Sequence, residues 1–232
     1  MKKTSILKRF LCLALCMVLV LGFVPVQARA LGAVASISVN GTVVGTYETL
    51  EDTFAAVSSC KAEDNAVVTL LKDVTVEDIC NVNGGVFTLD LNGLEMRSAE
   101  DGYGVLQVYS TDMTIVDSVG TGKISGKEEA ITCRGGNLTI TGGSFSADIT
   151  VIFLGACESV TITGGSFEGR NCISAYMSPV EITGGIFNAE NYSAAITDSD
   201  ISITGGIFST DLYNLSMNNG TAVLNVGDDG TG

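Results

Sequence analysis

"TITGGSF" occupies residues 139–145. It returns as "TITGGSF" at 161–167, "EITGGIF" at 181–187 and "SITGGIF" at 202–208. The first glycines of the four phrases are Gly142, Gly164, Gly184 and Gly205, an almost even spacing of about 21 residues. A near-constant period in this range marks a solenoid, in which each repeat buries its apolar face only against its neighbours.

Working outward, the four copies fall into units of one period each that begin at Ala130, Val151, Cys172 and Ser193. Each unit holds three short strands. The first reads "AITC", "IFLG", "ISAY" or "AAIT", the second ends in "LTIT", "VTIT", "VEIT" or "ISIT", and the third reads "SFSA", "SFEG", "IFNA" or "IFST". Alternation with period two sorts the side chains. On the second strand Leu138/Ile140, Val160/Ile162, Val180/Ile182 and Ile201/Ile203 face inward, and the threonines between them face outward. On the third strand Phe145, Phe167, Phe187 and Phe208 recur at one position, which predicts a ladder of stacked rings inside. The Gly-Gly pair marks the corner between the second and third strands, where a tight turn calls for positive φ.

The pattern extends both ways. "MTIVDSVGTGKISG" (113–126) places Met113, Ile115 and Ile124 inward around a longer corner, and "AVLNVGDDG" (222–230) places Leu224 and Val226 inward. Roughly seven coils are expected on this reading, with strands about 4.8 Å apart. A solenoid needs a lid over its open end. "ASISVNGTVVG" reads as a β-hairpin around Asn40-Gly41, and "TLEDTFAAVSSC" as a short helix capped by Thr49, with Leu50, Phe54 and Val57 on one face. The expected organisation is a signal peptide over 1–30, a cap over 31–65 and the solenoid over 66–232. The chain reaches "DDGTG" without a second capping helix, which leaves a continuation beyond Gly232 open.

The first thirty residues read as a secretory signal. A basic start with Lys2, Lys3, Lys8 and Arg9 precedes an apolar run from Phe10 to Val24, and Ala28-Arg29-Ala30 supplies the cleavage pattern. Its removal leaves seven basic against 26 acidic residues, hence a net charge of −19. Such a chain is poorly suited to nucleic acid or anionic lipid. No other apolar stretch is long enough for a membrane span. Five cysteines remain, namely Cys60, Cys80, Cys133, Cys157 and Cys172. An odd number at irregular spacing is no disulfide framework, and they read as small buried hydrophobes. There is no His and no CxxC pair, so no metal centre is expected.

Leucine-rich and Ca²⁺-binding nonapeptide repeats lack their signatures here. Three strands per coil with glycine corners predict an all-β, parallel β-helix. "VVTLLKDVTVEDI", "FTLDLNGLEM", "GTGKISG" and the recurring "TITGGSF" resemble the right-handed parallel β-helix domains of secreted bacterial surface proteins in the pectate-lyase-like superfamily. The resemblance covers about residues 66–226. It implies a right-handed sense for the coil and stacking units on an extracellular protein. No lyase catalytic motif carries over residue by residue, and no LPxTG sorting signal is visible.

Three places could carry chemistry. The corner after the first strand collects Asp112, Arg134, Glu158, Asp198 and Asp200. An Arg among acids could abstract a proton next to a uronate with Ca²⁺ on the carboxylates, as lyases do, or the corner is simply solvated. The corner after the third strand holds Asp148, Arg170, Glu190 and Asp211, where paired carboxylates would suit a glycoside hydrolase. Tyr192 and Tyr213 end successive units and should stack, an aromatic platform for a sugar with Arg170, Glu190 and Asp211 to bond its hydroxyls. The threonine face resembles an ice-binding array but is broken by Glu181, Ser202 and Val116.

The residues favour a non-enzymatic module, secreted or on the cell surface. Its role would be to bind an extracellular polysaccharide or surface protein, or to act as a spacer. A polysaccharide lyase or glycoside hydrolase is the alternative, and only the lyase reading would require Ca²⁺.

Overall fold

A computed structural model describes residues 32–210 and 212–224. The residues assigned to the signal peptide, together with Asp211 and Val226, lie outside the described residues. The chain forms a parallel β-solenoid of eight coils. Eight second strands, Ala66–Leu70, Val86–Asp90, Asp112–Val116, Asn137–Ile140, Ser159–Ile162, Val180–Ile182, Ile201–Ile203 and Ala222–Leu224, pair in parallel and in chain order.

The count is eight against an expected seven or so, and two of the coils are long. Partners along this sheet are Ala66↔Phe87, Phe87↔Met113, Met113↔Leu138, Leu138↔Val160, Val160↔Val180, Val180↔Ile201 and Ile201↔Ala222. Most of these steps advance about 21 residues along the chain, the period of the repeat. The steps from Phe87 to Met113 and from Met113 to Leu138 are longer by a few positions. The extra residues of the long coils sit in loops, so the ladder keeps its register while the sequence loses its period.

Stacking reproduces the inward assignment. Leu138, Ile140, Val160, Ile162, Val180, Ile182 and Ile201 are buried, as are Met113, Ile115 and Ile124. Rings of Phe145 and Phe167 lie 5.1 Å apart, those of Phe167 and Phe187 4.7 Å, and those of Phe187 and Phe208 4.7 Å, all within 10° of parallel. Each fully buried ring contributes about 1.5–3 kcal/mol. Below Phe145 the same position is filled by Ile124, Met96 and Val74, so one ladder runs from aliphatic to aromatic. Leu224 pairs with Ile203 as the pattern requires, yet it is 53% exposed because no described coil lies over it.

Two local features differ from expectation. In the Gly-Gly corner only the second glycine has positive φ, from +97° at Gly143 to +106° at Gly206. The first is small for another reason. A Cβ on Gly164, Gly184 or Gly205 would strike the carbonyl of Thr141, Thr163 or Thr183 in the coil before it. Second, the corner between the third strand and the next first strand is a bulge and not a break. Ser144–Gly155, Ser166–Tyr176 and Ile186–Thr197 are continuous strands with register shifts after Ala147 and after Gly169.

The corner between first and second strands carries a ladder of its own. Ser110, Ala156, Met177, Asp198 and Asn219 all adopt left-handed backbone, as Gly135 does. The residue that follows supplies a buried polar step. Cys157 N–H donates to Ser178 Oγ at 2.9 Å, and Ser178 N–H donates to Ser199 Oγ at 2.7 Å. Backbone donors that a corner would strand inside the core are thereby satisfied by the next coil.

At the N-terminal end Ala35–Val39 and Thr42–Tyr47 form the hairpin, and the first of these strands pairs antiparallel with Ala66–Leu70. The helix Leu50–Val57 starts at Thr49, whose Oγ1 accepts from Asp52 N–H at 3.1 Å. Leu50, Phe54 and Val57 are buried, and the Phe54 ring lies 5.9 Å from that of Phe87. The hairpin thus covers the first strand edge and the helix covers the first apolar layer.

Candidate functional site

An open groove of about 590 Å³ runs across the bulged corner of the regular coils. Its polar lining includes Asp148, Glu168, Arg170, Asn188, Glu190 and Ser209. These come from two ladders. Ser146, Glu168, Asn188 and Ser209 are in register on the third strand, each following an inward Phe and therefore facing out. Asp148, Arg170 and Glu190 come from the bulge itself, where the register shift turns them away from the core. The ion pair found among the described residues joins Arg170 Nε to Glu190 Oε2 at 4.0 Å, with both side chains at least half exposed. A pair this long and wet contributes about 0–1 kcal/mol and leaves both groups available.

Arg170 and Glu190 thus stand together. Tyr192 follows two residues beyond Glu190 and stacks on Tyr213, ring centroids 5.7 Å apart and 14° from parallel. Tyr213 is 59% exposed. Beneath Tyr192 the ladder continues to Asn171, whose Oδ1 is buried and has no hydrogen-bond partner. Sequence reasoning missed Glu168, Asn188, Ser146 and Ser209. The signal was present, since a residue following an inward Phe on a strand must face outward.

The other corner does not assemble a comparable centre. Asp112 and Glu158 line a separate groove of about 410 Å³. Asp112 Oδ1 accepts from the N–H and the side-chain amide of Asn137 at 3.1 and 2.7 Å. The Arg134 guanidinium sits over the Phe153 ring, 5.4 Å from its centroid. Asp198 accepts from the Asn219 side-chain amide at 2.7 Å. Asp200 accepts from Thr221 Oγ1 at 2.6 Å and Thr221 N–H at 2.8 Å, which hold its carboxyl below the usual range. Asp112, Arg134, Asp198 and Asp200 each serve the stacking of one coil on another.

Among the described residues no three His, Cys, Asp or Glu side chains converge as a metal set, and no helix is long and apolar enough to cross a membrane. Comparison with protein-family models, with curated proteins and with solved structures returns no match.

Proposed function

We propose that the chain is a secreted or cell-surface, non-enzymatic module that binds an extended polysaccharide. On this reading it is a right-handed β-helix of the pectate-lyase-like group from a bacterium, used for adhesion or spacing. The observation that carries the reading is the groove at the bulged corner. There two ladders of polar side chains run along the axis, next to the stacked pair Tyr192 and Tyr213. A polymer lying along the axis meets polar groups able to bond hydroxyls at each ~4.8 Å step, the strand spacing. The tyrosine faces suit the apolar faces of sugar rings.

A lyase at the other corner is the weaker reading, because Asp112, Arg134, Asp198 and Asp200 are engaged by neighbouring coils or rings; a hydrolase would have to use the groove's own Asp148 and Glu190. Retention on immobilised neutral and uronate-rich polysaccharides, recorded together with newly formed chain ends, with and without Ca²⁺, tests both. Retention without release, lost in Tyr192→Ala and Arg170→Ala, is the expected result. Release abolished by Arg134→Ala would replace this reading with an enzyme. Neither retention nor release would leave a spacer.

A further inference from the structure

All five cysteines of the described chain are free thiols, but two of them lie against each other in adjacent coils. Cys133 occupies an inward ladder of the first strands, between Val108 of one coil and Leu154 of the next. Cys157 belongs to the polar ladder of the following corner, with Ser178 and Ser199 after it. In that ladder Ser178 and Ser199 each donate to the carbonyl two residues upstream, at 2.9 Å. Cys157 does something different. Its Sγ reaches back one coil and lies 3.4 Å from the carbonyl oxygen of Cys133. The corner residue there, Gly136, has no side chain to block it. Cys133 Sγ in turn lies 3.7 Å from the Gly135 carbonyl. Both residues are buried, Cys133 at 0% and Cys157 at 3% exposure.

We propose that Cys133 and Cys157 are a modification site, a thiol pair that a low-molecular-weight disulfide oxidises to an intramolecular cross-link between adjacent coils. The other cysteines are placed elsewhere. Cys172 Sγ is occupied by the carbonyls of Phe167 and Asn188, Cys80 lies in the core near the cap, and Cys60 is half-buried at the end of the helix segment. The odd cysteine count therefore conceals one pair and three separate thiols.

The chemistry balances with glutathione disulfide as oxidant. Once the pair is exposed, the Cys157 thiolate attacks one sulfur of the oxidant and expels a glutathione thiolate. The Cys133 thiol gives up its proton and attacks Cys157 Sγ in the mixed disulfide, expelling the second glutathione thiolate. The two protons lost by the protein thiols go to the two expelled thiolates. Two protein thiols are oxidised, and one glutathione disulfide becomes two glutathiones. Burial confines the exchange to the folding chain or to transient opening of the corner.

The test refolds the full chain from denaturant in a glutathione redox buffer, alkylates free thiols under denaturing conditions, and maps peptides without reduction. The expected result is a peptide joining Cys133 to Cys157, alkylated Cys60, Cys80 and Cys172, and a fall in Tm of roughly 5–10 °C on reduction. Cys157→Ser provides the control that still folds, because serine fills this ladder position in the next two coils. It should leave Cys133 alkylated, with a Tm indifferent to reductant. Alkylation of both Cys133 and Cys157 in the refolded wild type, or a bridge to any other cysteine, overturns the assignment.

Discussion

The coils from Asn137 to Thr210 and those from Ala66 to Gly126 share one ladder but hold it differently. In the later coils the short, even period leaves no spare chain, and order comes from identical neighbours, Phe on Phe and Gly on carbonyl. In two of the earlier coils more chain separates one partner from the next, and the excess forms loops. Two carboxylates organise those loops. Asp117 accepts from Gly93 N–H at 2.8 Å and Gly122 N–H at 2.6 Å. Asp90 accepts from Asn92 N–H at 2.9 Å and Ser118 N–H at 3.0 Å. Repetition fixes one half of the solenoid, and individual charge-assisted hydrogen bonds fix the other.

Mutations can break or sharpen this contrast. The largest effect is expected for Phe167→Ala, about 3–5 kcal/mol by denaturant unfolding, because a ring stacked on both sides leaves a cavity that neither neighbour can fill. Equal stability in this variant would refute the ring ladder. Gly164→Ala should follow at about 1–3 kcal/mol, since its Cβ meets the Thr141 carbonyl and the backbone must yield. A similar loss, about 1.5–3 kcal/mol, is expected for Asp117→Ala in the loop half, where two backbone donors lose their acceptor. Protection of Gly93 and Gly122 amides from hydrogen exchange should fall with it, while protection in the coils after Asn137 is kept. Thr161→Ala on the outer face should stay within about 0.5 kcal/mol.

The smallest signal concerns acid. The Asp200 carboxyl is depressed by Thr221, so its contribution is present above the ordinary carboxylate range and is lost as pH falls through the lowered value. Asp200→Asn should remove that part of the acid dependence. An unchanged stability profile at low pH would mean the fully exposed pair is solvated away.

The regular half was legible because period-two alternation and an even repeat coincide there, so inward Phe and Ile could be named. The irregular half was less legible because residues 91–94 and 117–122 interrupt the period while Met96 and Ile124 keep their places in the ladder. The first corner glycines were assigned to φ when their constraint is contact with the preceding coil, a distance no single repeat contains. The groove was half legible for the same reason. Arg170 and Glu190 stand out as charges, whereas Glu168 and Asn188 become site residues only once the bulge sets the two ladders around one hollow.

The corner ladder of Cys157, Ser178 and Ser199 has a consequence for how such a molecule can change. The N–H groups of Cys157 and Ser178 are satisfied in the same way, each by the serine hydroxyl one coil on, so the ladder repeats with the coil. A deletion that removes one whole unit, such as 151–171, rejoins matched donors and acceptors and shortens the rod by ~4.8 Å. A deletion of half that length would turn core residues outward and leave buried N–H groups unpaired. The length of this protein is quantised, and the unit of change is the coil.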